Sequence, residues 1–285
     1  MAETGLAPTL SHCAREVRRE DRDRFLSALF APDFMREALF ALYAFNAEIA
    51  RARELVTEPL LGEIRLQWWR DALGGLYSGR SLAHPVVEAL GRAIGAHGLK
   101  RAGFERMIDA RTADLFPEPP ADMAALEAYA GASSGALMEL ALECLGAATP
   151  DAHRAAQEAG IAYALVGLLR AVPFHARRKR VMLPFDRLRA AGLDAQSIFD
   201  LRPSAALAQV VREVGELAFG HLTEARRAVR FLPAQAWPAL LPAALVAGDL
   251  ARLRRKNWNP FALDAGPAGT GRLARLTWAR IARRL

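Results

Sequence analysis

The chain has 285 residues, of which 52% are hydrophobic and 24% are charged, a composition that excludes a disordered protein and favours a globular one with a sizeable core. Its net charge of +7, from 38 basic and 31 acidic residues, leaves three kinds of partner open beside a merely solubilising surface: nucleic acid, an anionic membrane, or a phosphorylated small molecule. The two cysteines, Cys13 and Cys144, lie far apart, which excludes a disulfide framework and a zinc knuckle and indicates a reducing compartment.

The N-terminal segment, residues 1–20, carries Glu3, Glu16 and Glu20 and has no apolar stretch, so it resembles neither a secretory signal nor a transit peptide. A membrane span needs about 18 consecutive apolar residues. The longest candidate, residues 237–248, is shorter and contains prolines. The sequence therefore predicts a cytoplasmic protein and leaves peripheral contact with the inner membrane open.

Apolar residues recur every three or four positions along most of the chain, which is the helical period. The first helical faces contain Leu39, Leu42 and Tyr43, then Leu66, Trp69 and Leu73, and a later one contains Val210, Val214 and Leu217. Asp122 is predicted to cap a helix over residues 122–146, and Ser204 to cap another. Prolines and glycines separate these segments, and no strand-period segment or internal repeat is found.

The pattern predicts an all-α bundle of about ten or more helices. We place its single domain at residues 1–262. A Gly/Pro-rich linker and a basic amphipathic helix over residues 272–285 follow, so that residues 263–285 form a C-terminal extension. This last helix suits a membrane surface and equally suits packing onto the domain.

Two segments carry the most specific pattern. Residues 40–54 contain Tyr43-Ala44-Phe45, and residues 165–184 contain Leu168-Leu169-Arg170 followed by a basic turn that ends in Leu183-Pro184. In this order and spacing they resemble the two signature regions of squalene and phytoene synthases. The resemblance implies the isoprenoid synthase fold around a central apolar cavity. Tyr43, Phe45 and Trp69 are candidates to line that cavity, although such aromatic residues are more often ordinary core.

In the family that these segments resemble, both regions carry aspartates that hold Mg²⁺ against a prenyl diphosphate, and the metal neutralises the departing diphosphate. The corresponding positions here are Ala50, Arg51 and Glu54 in the first segment and Ala171 and His175 in the second. Only Glu54 keeps a carboxylate. We therefore expect no metal site and no cofactor, with Mg²⁺ required only if the chain is an active prenyltransferase.

Two other acid pairs could replace the missing aspartates. Glu139 and Glu143 are spaced by four, and Asp109 and Asp114 by five. Acid pairs of this kind are common on solvated helix faces or beside arginines, and we favour that interpretation. His175 could serve as a base, but a structural role or a phosphate contact fits a histidine among basic residues better.

A basic cluster surrounds the second segment. Its members are Arg170, Arg177, Arg178 and Arg180, with Arg51 added if the two segments face each other. A solvated surface explains such a cluster, and so does metal-free capture of a diphosphate or lipid headgroup, because arginine pairs with phosphate through two hydrogen bonds. Nucleic acid is disfavoured because no aromatic residues interleave with the cluster.

Pro173-Phe174-His175, followed by Arg177 and Arg178, together with Ala44-Phe45-Asn46, resembles a divergent branch of the same superfamily. That branch includes the mitochondrial respiratory complex I assembly factor and its bacterial relatives. The resemblance implies a non-enzymatic factor with a protein partner, a complex I subunit or assembly intermediate. Two alternatives stay open: an active farnesyl- or geranylgeranyl-diphosphate transferase, and a protein that binds an isoprenoid diphosphate or lipid without converting it.

Overall fold

The computed structural model describes residues 10–54, 56, 58–263 and 270–285. Part of the segment used to exclude a signal peptide, residues 1–9, and most of the predicted linker, residues 264–269, lie outside the described residues.

The described part of the chain is helical and contains no β-strand, which confirms the predicted all-α class. The α-helices in chain order are α1 (His12–Glu20), α2 (Arg22–Ala28), α3 (Asp33–Ala50), α4 (Pro59–Tyr77), α5 (Pro85–His97), α6 (Arg101–Thr112), α7 (Met123–Ala130), α8 (Ala136–Cys144), α9 (Pro150–Arg170), α10 (Val172–Arg177), α11 (Phe185–Ala190), α12 (Ala195–Phe199), α13 (Ala205–Ala228), α14 (Trp237–Leu240), α15 (Val246–Arg255) and α16 (Thr270–Ala282).

The helices begin where the sequence provides caps or prolines. Ser204 accepts a hydrogen bond from the backbone amide of Leu207 at 3.0 Å, which starts α13, and prolines occupy the first position of α4, α5 and α9. Both features satisfy or remove amide groups that lack a partner in the first turn. Asp122 caps α7 as predicted, but a π-helical turn over Gly131–Gly135 divides the predicted helix into α7 and α8.

The core is organised around the long helices α3 and α9. Helix α9 packs along α13 and against α8, and helix α3 packs against α1, α5 and α8. The backbone of α9 approaches the π-helical turn so closely that a Cβ atom on Gly160 would lie 2.5 Å from the Cα atom of Gly135. Small residues at this crossing therefore permit the tight packing of the central helices.

The C-terminal helix α16 packs onto the rest of the molecule, against α2 and the 3₁₀ turn Leu241–Leu245. Leu276 and Ala279 on α16 are buried there. Of the two interpretations of this helix, packing onto the domain is thus observed. The division at residue 262 stays a prediction. Within the described residues, no helix is both long enough and apolar enough to cross a membrane.

Candidate functional site

The first motif segment lies at the C-terminal end of α3. Ala50 is the last residue of the helix, Arg51 caps it, and Glu54 follows in an exposed turn. Arg51 Nη1 lies 3.5 Å from Glu20 Oε1 at the end of α1. The one surviving carboxylate is therefore beyond the end of the helix and does not share a helical face with Ala50.

The second motif segment lies where α9 ends. Arg170 is the last residue of α9, Ala171 separates it from α10, and His175 lies within α10. Burial, reinforced by the positive charge of Arg180, lowers the pKa of His175 to about 4. The imidazole is consequently neutral near neutral pH, and it stands where the resemblance would place a carboxylate.

These residues do not fit magnesium. Magnesium is bound through carboxylate, phosphate and water oxygens, whereas these positions offer two alanines, a guanidinium, a histidine and one exposed glutamate. Within the described ranges of the chain, no group of three or more His, Cys, Asp or Glu side chains is arranged to hold a metal ion.

The alternative acid pairs do not converge on a common site. Each of the four carboxylates has its own neighbours, mostly arginines, which agrees with the interpretation favoured from the sequence. The partners are Arg106 and Gln157 for Glu139, the backbone amide of Lys100 for Glu143, Arg70 for Asp109, and Arg111 and Tyr129 for Asp114.

Three members of the basic cluster are paired with carboxylates on different elements. Besides Arg51, Arg170 Nη1 lies 3.2 Å from Asp249 Oδ2 on α15, and Arg180 Nη2 lies 3.7 Å from Asp114 Oδ1 after α6. Arg177 and Arg178 are exposed, and the guanidinium of Arg178 covers the ring of Phe174 at 3.7 Å. A phosphate group would have to compete with these carboxylates, and the headgroup site stays a prediction.

The three aromatic residues proposed as cavity lining are buried. The ring of Phe45 meets those of Trp69 and Phe104 edge to face, with centroids 5.2 and 5.4 Å apart. Such contacts are those of a packed aromatic core, and the assignment of Tyr43, Phe45 and Trp69 to a ligand cavity stays a prediction.

Between α3 and α9 the interior contains an arginine that the sequence analysis did not single out. Arg24 on α2 lies over the ring of Tyr163 on α9 at 4.9 Å and that of Tyr43 on α3 at 6.0 Å. It also donates hydrogen bonds to Asp21 Oδ2 at 2.6 Å and Ser134 Oγ at 3.0 Å. Burial opposes its charge, but Asp21 and the tyrosines outweigh burial, so the pKa of Arg24 is raised.

A second buried polar group, which we call the Arg272 cluster, joins Asp23, Tyr163, Asp249 and Arg272. Arg272 on α16 donates from Nε to Asp23 Oδ1 at 2.7 Å and from Nη1 to Asp249 Oδ1 at 3.0 Å. The hydroxyl of Tyr163 donates to Asp23 Oδ2 at 3.2 Å. The sequence offered one signal for this cluster: Asp249 interrupts an otherwise apolar stretch, and a buried acid requires a partner.

A separate surface groove of about 540 Å³ lies between α13 and α15. Phe219, Leu250 and Trp258 contribute its apolar wall, and Arg212, Glu216 and Arg254 its polar one. None of the motif positions lines it.

Comparison with known proteins identifies a matching family and solved structures of similar fold. The squalene/phytoene synthase family model matches residues 17–280. A squalene synthase structure from Alicyclobacillus acidocaldarius superposes with a TM-score of 0.77 at 20% identity, covering 87% of this chain and 94% of that one. The structural likeness supports the predicted fold.

Two curated relatives differ in what their names describe. The Bos taurus protein named "NADH dehydrogenase (ubiquinone) complex I, assembly factor 6" is 31% identical over 257 residues, which cover 90% of this chain and 77% of that protein. The presqualene diphosphate synthase of Rhodopseudomonas palustris is 29% identical, covering 71% of this chain and 72% of that enzyme. With its family model matched over most of its length, the chain belongs to the squalene/phytoene synthase family.

Proposed function

We propose that this chain is a non-catalytic factor for the assembly of respiratory NADH dehydrogenase, complex I, built on the squalene/phytoene synthase fold. The observation that carries the proposal is the chemistry of the motif positions: Ala50, Arg51, Ala171 and His175 provide no carboxylate where the family resemblance implies aspartates. With Glu54 as the one remaining carboxylate at these positions, Mg²⁺ lacks the paired carboxylates that would hold it against a departing diphosphate.

Two further observations support a protein without prenyltransferase activity. Relatives from mammals, Drosophila melanogaster and Dictyostelium discoideum that match this chain are named complex I assembly factor 6 or a homologue of it. In addition, the interior between α3 and α9 contains the charged side chain of Arg24, which is a poor neighbour for an apolar prenyl chain.

The proposed partner is a complex I subunit or an assembly intermediate. We place the factor in a bacterial cytoplasm, peripheral to the inner membrane. Binding of an isoprenoid diphosphate or lipid by the basic cluster is not required for this role.

Genetic complementation tests the assembly role. In a strain from which the gene is deleted, we expect membranes to lose NADH:ubiquinone oxidoreductase activity, and the wild-type gene to restore it. Glu54→Ala, which removes the last carboxylate of the motif at an exposed position, should restore activity to the same level because no metal chemistry depends on it. Unchanged activity in the deletion strain would contradict the proposal.

Pyrophosphate release tests the absence of catalysis. The wild-type protein is incubated with farnesyl or geranylgeranyl diphosphate, Mg²⁺ and NADPH, beside an Ala171→Asp/His175→Asp variant checked for folding by circular dichroism. We expect no release from the wild type. Sustained metal-dependent release would establish an active prenyltransferase instead. A ligand-induced rise in melting temperature without turnover would indicate a binding protein.

A further inference from the structure

The orientation of α16 on the domain is fixed by its buried face. The guanidinium of Arg272 pairs with Asp23 and Asp249, and Leu276 and Ala279 are buried on the same side of the helix. Positions 272, 276 and 279 form one helical stripe. The opposite side of α16 is therefore directed away from the core.

That opposite side is apolar. The exposed fractions of Leu273, Trp278 and Ile281 are 45%, 68% and 73%. These apolar residues are additional to Leu276 and Ala279, which pack into the core. Large apolar side chains exposed together on one helix indicate an interaction surface.

The charge around these apolar residues is of one sign. Residues 270–285 contain five arginines and no aspartate or glutamate; of the five, only Arg272 belongs to the buried stripe. Arg226 Nε donates to the backbone carbonyl of Leu285 at 2.7 Å, which joins α16 to the end of α13. There the chain adds Arg230 and Phe231, whose exposed fraction is 92%.

We propose that the outer face of α16, formed by Leu273, Trp278 and Ile281 with Arg280, docks on an anionic membrane surface together with Arg284, which lies just beyond the end of the helix. Tryptophan and isoleucine enter the boundary between headgroups and acyl chains, and arginines bind lipid phosphates. The inference names the surface by which the chain reaches the membrane and in that respect rests on the proposed function.

A second exposed apolar face in the same molecule provides a contrast. Leu60, Leu61, Ile64 and Trp68 are exposed on α4. Residues 58–71 also contain Glu58, Glu63 and Asp71 beside Arg65 and Arg70, so the charge around this apolar face is mixed. The three carboxylates of this segment oppose an anionic lipid surface and offset the attraction of its two arginines. Exposed apolar residues alone therefore do not distinguish the two faces. The arginines of α16 identify its outer face as the one that binds the membrane.

Binding to lipid vesicles tests the proposal with the full-length protein. Vesicles of phosphatidylcholine alone are compared with vesicles in which about one third is phosphatidylglycerol. We expect sedimentation with the anionic vesicles only, weakening as salt is raised. Trp278→Ser/Ile281→Ser should reduce the partition coefficient about tenfold, while the matched α4 variant Leu60→Ser/Ile64→Ser leaves it unchanged.

Each outcome decides the proposal. Loss of vesicle binding confined to the α16 variant supports it. Equal binding to both kinds of vesicle, equal loss in the α4 variant, or absence of binding by the wild type overturns it. If the α16 variant binds vesicles normally but fails to restore NADH dehydrogenase activity, the face serves a protein partner and the proposal is wrong. Activity in the deletion strain is measured independently, so the assembly role and membrane docking can fail separately.

Discussion

At the scale of single residues, Arg272 should contribute more to stability than its position on a terminal helix suggests. Among the residues that the structure describes, replacing it with leucine leaves the Asp23 carboxylate with the hydroxyl of Tyr163 as its one hydrogen-bond partner, whereas Asp249 keeps Arg170 and Arg252. Removing one partner of a buried ion pair costs about 3–5 kcal/mol. We expect a decrease of this size in the free energy of unfolding, measured by urea denaturation.

Arg284→Ala is the matched control on the same segment, because its side chain is exposed, and a change within about 0.5 kcal/mol is expected. The triple variant Asp23→Asn/Asp249→Asn/Arg272→Met removes the charges together and should recover part of the loss. Equal effects of Arg272→Leu and Arg284→Ala would show that the buried ion pairs contribute nothing.

The titration of His175 predicts a pH dependence with a definite sign. Its pKa is about 4 in the folded protein against an ordinary value of 6.5, with Arg180, Arg178 and Asp114 as the charged neighbours. Between these pH values the unfolded chain binds the proton and the folded one does not. The free energy of unfolding that His175 contributes is therefore fully present above pH 6.5 and is lost as the pH falls towards 4.

His175→Gln should remove that dependence. Between about pH 7 and pH 4.5 we expect the variant to lose about 2 kcal/mol less free energy of unfolding than the wild type, after allowance for solvent screening. The measurement is urea denaturation at several pH values. Parallel stability curves for the two proteins would assign the acid sensitivity to other groups.

The sequence identifies the motif positions but not the partners of the buried ion pairs. The motif positions Ala50, Arg51 and His175 are identified because two short segments resemble the motifs of the family. The structure places Ala50 and Arg51 at the end of α3 and His175 within α10. The partnership of Asp23 with Arg272 joins residues separated by 249 positions. No local pattern encodes such a contact, because only the packing of α16 on α2 brings the two side chains together.

At the scale of helices, the crossing between α9 and the π-helical turn should be the most sensitive to side-chain size. Gly160→Ala places a methyl group against the backbone of Gly135 and Ser134, which cannot move as a side chain can. We expect the free energy of unfolding to fall by about 2 kcal/mol or more.

Gly167→Ala on the same helix is the control, since nothing lies within 4 Å of its added methyl group. Alanine is the better helix former, and a gain of about 0.5–1 kcal/mol is expected. A loss of stability in both variants would point to strain along α9 in general instead of the crossing, because helix propensity favours alanine in both.

Helix positions were largely predictable, since periodicity, caps and prolines are local signals. The starts of α7 and α13 follow Asp122 and Ser204 as expected. The π-helical turn Gly131–Gly135 was not anticipated within the helix predicted over residues 122–146. Its small residues continue a helical pattern, and the widened turn depends on the approach of α9, which is a tertiary contact.

At the scale of the whole molecule, the question is whether residues 263–285 form a separate extension, as the sequence predicts, or part of one cooperative unit. The buried ion pairs of Arg272 and the burial of Leu276 tie α16 to α2 and to the turn Leu241–Leu245. Removing the segment would uncover the apolar turn and leave Asp23 without its guanidinium.

We therefore expect a chain truncated after residue 262 to lose more stability than Arg272→Leu alone, that is, more than about 3–5 kcal/mol. The full-length protein should unfold in a single transition by circular dichroism and by tryptophan fluorescence, because Trp278 on α16 and the buried Trp237 report on the same unit.

A truncated chain with an unchanged urea midpoint, or a full-length chain whose two signals change at different urea concentrations, would establish the extension as separate. In that case α16 could detach from the domain while on the membrane, whereas a single transition means that it docks as a rigid face of the whole molecule.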